Sequence, residues 1–443
     1  MTKALLLPFY CDGYEPNVFK MQLRSMKELL SSFGAEVELE EPVGTYKEAM
    51  ALQERLCPFA YDVAILVPIT WSEPRLASVA ARAFFGRPIL ILAVNEFQLN
   101  GQRTEFSSAP AAAALYGCLT EMGVSATFLP GPVSENGEEI RTLFAAAEAV
   151  SKIRKAKIGA VGHNFNGITA AGLDLSKLRR VYGTEVYSID GSTLIRKAEA
   201  LSPESELYQK TEAEIGRTYS GLPREYREKT VRITAALQEL VDEYELDAVE
   251  VRCHTEFSQE YGLSMCLPLG IVGNRVAAAC EADLPVLFTE LVFKYLSGGK
   301  TPTYADLRTF TKNGMDVGAC GFAPTDLTGK AGEVGGENGY LTNASDLNEG
   351  TLTIGRLKKL PGGGFAFHAS RGRAEKIEKR LTEFGCAPYP MARIIPEEPM
   401  ESFIRHTGAN HYAIVYEDVL KGLQAFSKFT HTLFLKETPR SEF

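Results

Sequence analysis

The sequence predicts an α/β protein: two successive Rossmann-like parallel-sheet α/β domains followed by a β-rich, barrel-like carboxyl-terminal domain. Three observations predict it. Short β-branched runs alternate with amphipathic stretches over the first 155 residues. The same alternation restarts at "KAKIGAVGHNFNG", and from about Asn313 the texture changes to Gly-rich loops and short alternating strands. The implied domains are residues 1–155, 156–312 and 313–443. A chain of 443 residues is too long for one ordinary core, and 45% apolar with 23% charged residues is the balance of a globular protein of two or three domains.

In the first domain "ALLLPF", "AEVELE", "DVAILVPI", "RPILILAVNE" and "ATFLP" read as strands. Helices are expected near Val18 to Phe33, Tyr46 to Leu56, Pro74 to Phe85, Ala109 to Met122 and Glu138 to Arg154. The second holds the strands "KAKIGAVG", "GTEVYSID" and "AVEVRC", charged helices near Pro203 to Tyr219 and Pro223 to Tyr244, and an apolar run from Val276 to Leu296. In the third, "TLTIGRL" and "FAFHAS" alternate like strands, and a helix near Glu417 to Phe429 closes the domain.

The formal charge of −9 is modest, and Lys and Arg are scattered, so the footprint of a nucleic-acid binder is missing and a small molecule such as a sugar is the better partner. Eight cysteines, at 11, 57, 118, 253, 266, 280, 320 and 386, form no CxxC pair and read as reduced cytosolic thiols. The opening "MTKALLLPFYCDGYEP" has no signal-peptide pattern, and apolar runs of about 18 residues are missing, so a cytoplasmic protein without a membrane partner is expected.

Two carboxylates in "ACEADLPVLFTELVFKYLSGGKTPTYAD" lack an obvious basic neighbour. Asp283 can cap the helix whose apolar positions, Leu284, Leu287, Phe288, Leu291, Val292 and Tyr295, follow helical spacing. That leaves Glu281 at the carboxyl end of the strand "VAAAC", the edge of an α/β sheet where ligands bind. Asp306 follows a helix stop and turn, "SGGKTP", that can return the chain to the same edge. As plain structure, Glu281 is a solvated charge and Asp306 a cap. The stretch "HTGANHYAIVYED" shifts the balance, because two of only six histidines precede one apolar strand. Two carboxylates and one imidazole are a donor set for a divalent ion.

The segments "RCHTEFSQEYGLSMC", "ACEADLPVLFTELVFKYLSG" with Asp306 downstream, and "GANHYAIVYEDVLKGL" together resemble the L-fucose isomerase and L-arabinose isomerase superfamily, with the motifs in the same order across roughly residues 155 to 430. The resemblance implies an aldose–ketose isomerase acting on a pentose or 6-deoxyhexose through a cis-enediol. It implies Glu281, Asp306 and His411 as ligands of Mn²⁺ or another divalent cation such as Mg²⁺ or Co²⁺, with both carboxylates as catalytic groups. It also implies a homo-oligomer whose active site lies at a subunit interface. His254 stands where the family commonly has a bulky aromatic residue.

Further candidates for contacting a sugar are His163 and Asn164 in "GHNFNG", Arg252 and His254, His368 in "GGGFAFHASRGR", and His406 and Asn410. Each has a structural alternative: an Asx turn for His163 and Asn164, and a strand end beside a basic helix start for His368. Cys253, Cys266 and Cys280 read as small core residues. The Gly-rich stretch 329–339 is either a lid or a loose connection. "SGGKT" lacks the preceding strand of a phosphate loop. The alternative function is a non-catalytic sugar-binding or regulatory module, since two α/β lobes also build binding proteins.

Overall fold

The computed structural model describes residues 1–11, 19–94, 97–99, 102–162, 167–254, 256–318, 321–328, 332–336, 339–377 and 390–435. His163, Asn164 and part of the Gly-rich stretch lie outside them. Two compact units are present: Met1–Lys152 with Lys421–Thr432, and Ile153–Leu420 with Leu433–Phe443.

The first unit is a parallel sheet of strands β1 (Thr2–Phe9), β2 (Ala35–Leu39), β3 (Val63–Pro68), β4 (Ile89–Ile91) and β5 (Thr127–Phe128), ordered β2-β1-β3-β4-β5. The central strands β1 and β3 read as unbroken apolar runs because helices cover both faces of such a sheet. Every residue of β3 is buried. Its helices start where local chemistry favours them; Thr45 and Glu48, for example, form a reciprocal capping box ahead of Tyr46–Arg55. The segment Lys421–Thr432, most of the last helix, belongs to this unit.

The second unit combines a sheet and a barrel. Its parallel sheet holds β6 (Lys157–Val161), β7 (Glu185–Ile189), β8 (Ala248–Val251) and β9 (Ala277–Cys280) in the order β9-β8-β6-β7. The barrel strands are β10 (Pro302–Phe310), β11 (Met315–Gly318), β12 (Gly350–Lys359), β13 (Phe365–Glu375), β14 (Met391–Pro396) and β15 (His411–Val415). They run antiparallel in the order β12-β15-β10-β11-β14-β13, and pairing of β13 with β12 closes the ring. A short strand, β16 (Leu433–Leu435), adds to β13 in parallel. The architecture is therefore the one the sequence predicts, two parallel α/β sheets and a closed β-barrel.

The barrel begins at Pro302, eleven residues ahead of the change in texture at Asn313, and its first strand carries Asp306. Leu284–Leu296 is a helix as expected, yet every residue from Leu284 to Phe293 is buried. The reason is its position, packed against the second sheet on one side and barrel strands on the other. Its polar residues are accordingly engaged inside: Thr289 receives the Leu357 amide at 2.8 Å, and Glu290 receives the Ala278 amide at 3.2 Å. Part of the Gly-rich stretch is a strand, Gly332–Gly335, paired with Tyr219–Ser220 and Thr342–Asn343.

Candidate active site at the junction of sheet and barrel

Strand β9 ends at Cys280, and the next two residues, Glu281 and Ala282, take the left-handed conformation with φ of 61° and 53°. Neither is glycine, so the turn stores on the order of 1–3 kcal/mol per residue, a cost that clusters at functional sites. The turn ends at Asp283, whose Oδ1 caps the buried helix through the Val286 amide at 3.2 Å. Opposite it, barrel strands β10 and β15 are paired so that Asp306 and His411 are cross-strand neighbours. Sheet end and barrel wall thus bring three residues together that lie 25 and 105 positions apart in the chain.

His411 is fully buried, and its Nε2 lies 3.3 Å from Glu281 Oε2 and 4.0 Å from Asp306 Oδ1. That nitrogen has no hydrogen-bond partner. The other ring nitrogen, Nδ1, meets Asp283 Oδ2 at 2.8 Å. Asp283 is held in turn by Arg356, also buried, whose Nη1 donates to Asp283 Oδ2 at 3.0 Å and to the His411 carbonyl at 2.9 Å, while Nη2 donates to the Ala170 carbonyl at 2.8 Å. With Nδ1 held by a carboxylate, His411 directs its Nε2 toward Glu281 and Asp306, and loss of the Nε2 proton would leave a lone pair facing both. This is the usual arrangement behind a metal-ligating imidazole.

The charges agree with this geometry. Burial alone would lower the His411 pKa, but Asp283 and Glu281 outweigh it and raise it to about 9. Burial raises the Asp306 carboxyl above its ordinary value despite Arg308, His411 and Asn410 nearby. Asp283 goes the other way, since Arg356 and His411 overcome its burial and hold it below the usual range. Burial pushes Glu250 and Glu290 well upward, and the nearby charge of Asp283 adds to the shift in both. Two carboxylates, Glu281 and Asp306, thus face the Nε2 edge of one imidazole and favour positive charge there. Glu281, Asp306 and His411 offer two oxygen donors and one nitrogen, a donor set of the kind that divalent ions take.

The remaining sequence candidates divide into two groups. His254 and Asn410 stand at this site: His254 Nε2 is 3.9 Å from Glu281 Oε1, and Asn410 donates to Asp306 Oδ1 at 3.1 Å. Arg308 also reaches Asp306 Oδ2, at 3.3 Å. Arg252 is engaged in a two-nitrogen ion pair with Glu256. His368 and His406 gather round Glu398 instead. His368 is no strand-end residue beside a helix; it is fully buried on β13, and Arg371 and Arg373 lie on the same strand. Its Nδ1 meets the Tyr412 hydroxyl at 2.8 Å and its Nε2 meets Glu398 at 3.0 Å, while His406 Nδ1 is 3.4 Å from the same carboxylate.

His368, Glu398 and His406 are a candidate metal-holding group, with ligand atoms within 4.8 Å of one another. Both ring nitrogens of His368 are already hydrogen-bonded, however, whereas His411 Nε2 is buried without a hydrogen bond. His411 Nε2 is therefore the more open of the two sites' imidazole nitrogens, while His368 is already satisfied by its own hydrogen bonds.

Comparison with known proteins agrees with an isomerase. The chain is 23% identical over 388 residues to a sulfoquinovose isomerase of Alkalicoccus urumqiensis, covering 83% of this chain and 84% of that one. Identity to a sulfoquinovose isomerase of Clostridium sp. (strain MSTE9) is 24% over 399 residues, covering 86% and 87%. To that of Priestia megaterium it is 22% over 436 residues, covering 95% and 96%. The chain is a distant homologue of sugar isomerases along nearly its whole length. No family model matches. Among solved structures, an ABC-transporter solute-binding protein from Burkholderia multivorans aligns with 67% of this chain and 94% of its own at 9% identity, with a TM-score of 0.19, too low to carry an argument. No helix of the described residues is long and apolar enough to cross a membrane.

Sequence reasoning read Asp283 as a helix cap alone and did not single out Arg356. A signal existed for both: Asp283 sits between Ala282 and Leu284, and Arg356 lies in the apolar run "LTIGRL". A charge inside an apolar run is buried with a partner.

Proposed function

We propose that this chain is a metal-dependent aldose–ketose isomerase of the L-fucose and L-arabinose isomerase type, with Glu281, Asp306 and His411 as the metal ligands. The observation that carries the reading is His411 Nε2, buried and without a hydrogen bond, facing both carboxylates while Asp283 occupies its other nitrogen. A bound divalent ion, Mn²⁺ or a similar Mg²⁺ or Co²⁺, would supply Lewis-acid stabilisation of negative charge on the sugar oxygens. The chain's own groups do the rest. Glu281 and Asp306 approach from two different elements, so one carboxylate is available to take the proton from C2 of the aldose and return it to C1 of the cis-enediol. His254 and Asn410, beside Glu281 and Asp306 respectively, would hydrogen-bond sugar hydroxyls. A wholly non-catalytic binder has no need of two carboxylates and a histidine around one ion.

The substrate reading rests on the homologues. Sulfoquinovose, named for each of them, is a hexose with a sulfo group in place of the C6 hydroxyl, and so falls within the 6-deoxyhexose class. Arg308, beside Asp306, supplies a cation at the site for such a substrate. The protein is further proposed to be a homo-oligomer with the site at a subunit boundary. The test is proton NMR of purified protein with Mn²⁺ and a panel of sulfoquinovose, L-fucose, L-arabinose and other pentoses. Growth of ketose signals and solvent deuterium at C1 of the ketose support the reading. Tight sugar binding with no interconversion of any of them would favour a binding module.

A further inference from the structure

We propose that Cys253 and Cys280 are an oxidative modification site, a thiol pair whose disulfide disables the adjoining candidate site. The two sulfurs lie 3.1 Å apart in the interior. Cys280 is the last residue of β9 and is fully buried; Cys253 lies two residues beyond the end of β8 and is 7% exposed. The strands are parallel neighbours with Val251 opposite Cys280, so the two cysteines meet where the sheet gives way to the site. A disulfide of about 2.05 Å needs roughly 1 Å of closure from the observed separation.

The residues next to the two cysteines make the pair more than a packing contact. Glu281 comes immediately after Cys280 and His254 immediately after Cys253, and their side chains approach to 3.9 Å. Both segments are tightly placed. Glu281 and Ala282 are in the left-handed conformation ahead of the helix cap, and the Cys253 carbonyl receives the Ser258 amide at 3.3 Å. A closure of about 1 Å between the sulfurs therefore has little slack to absorb it and displaces Glu281 relative to His411 and Asp306. The consequence for the metal rests on the proposed ligand set; formation of the bond does not.

The oxidant is a hydroperoxide. The sulfur of Cys253, the more exposed of the two, attacks the peroxide oxygen; the O–O bond breaks, an alcohol or water leaves, and a sulfenic acid forms. The Cys280 sulfur then displaces that hydroxyl as water, and the S–S bond closes. Two electrons pass from the thiols to the peroxide, and a dithiol reductant reverses the change.

The experiment treats metal-free full-length protein with hydrogen peroxide and reads three things: intact mass, a peptide map, and Mn²⁺ affinity by calorimetry before and after dithiothreitol. The expected result is loss of two hydrogen masses, a Cys253–Cys280 linked peptide, and Mn²⁺ binding weakened about tenfold or more, the scale seen when the support of a metal ligand is disturbed. Dithiothreitol should restore it. Cys253→Ala and Cys280→Ala should each bind Mn²⁺ as the reduced protein does and keep that affinity after peroxide. If one variant fails to fold, the other and the reversal in the unaltered protein suffice. Oxidation to unlinked acids, no reaction at this pair, or a linked pair with unchanged Mn²⁺ affinity would overturn the proposal. If the reduced protein binds no Mn²⁺, the metal reading fails, and the peptide map alone decides whether the bond forms.

Discussion

Replacing Asp283 with Asn separates the charge of this residue from its shape. Asparagine can still accept the Val286 amide through its Oδ1, and it is an equally good helix cap, so the helix start is preserved. What is lost is the anion between two buried cationic partners, Arg356 at 3.0 Å and the His411 imidazole at 2.8 Å. Arg356 would keep its bonds to the His411 and Ala170 carbonyls but would lie in the interior as an uncompensated charge, which costs about 3–5 kcal/mol when a buried pair is broken from one side. The imidazole would lose the carboxylate that fixes its tautomer, and metal affinity should fall about 10–100-fold. The two losses can be told apart. Adding Arg356→Met removes the stranded charge and should recover much of the stability while leaving the metal defect in place. Denaturant unfolding of the metal-free protein measures the first effect, and calorimetric titration with Mn²⁺ measures the second. An Asp283→Asn protein that is folded by circular dichroism and binds Mn²⁺ as tightly as the parent would refute the claim that Asp283 orients a metal-ligating His411.

Glu281→Gln and Asp306→Asn should each remove turnover by on the order of 100-fold or more, and the double variant should lose little beyond either single one because the two act as a unit; additive losses in a steady-state assay would contradict this. His411→Ala should weaken Mn²⁺ retention in equilibrium dialysis far more than His406→Ala; equal retention would mean that the ion sits elsewhere. In the metal-free protein His411 has its pKa raised from 6.5 to about 9, so its contribution to stability is fully present below pH 6.5 and disappears as pH rises through about 9. Unfolding midpoints between those pH values should therefore decline more in the parent than in His411→Gln. For the same reason Mn²⁺ binding should release a proton below pH 9, detectable as a buffer-dependent binding enthalpy.

The α/β units were legible because a central parallel strand must be apolar on both faces and its helices on one, patterns that survive in "AILVP" and in the capped helix after Thr45. Glu281 was legible too, since a carboxylate directly after "VAAAC" is conspicuous. The start of the barrel was not. "TPTYADLRTF" comes after a helix without the Gly-rich texture that marks the later strands, and its bulge between Leu307 and Thr309 breaks the alternation. The role of Arg356 was hidden for a different reason: its partner Asp283 lies 73 residues away, and only closure of the barrel beside the buried helix brings them together. Glu290 shows the same limit. Within "LPVLFTELVF" it looks like the polar edge of an amphipathic helix, and it becomes an interior group because a second layer covers that edge.

The central claim is that the ion sits between the end of the second sheet and the barrel wall. Crystals grown with Mn²⁺ and measured near the manganese absorption edge would test it directly. The account predicts one anomalous peak per subunit within coordinating distance of Glu281, Asp306 and His411 Nε2, with Asp283 still on Nδ1. A peak at His368, Glu398 and His406 instead, or none at either group in a protein that isomerises sugars, would contradict it.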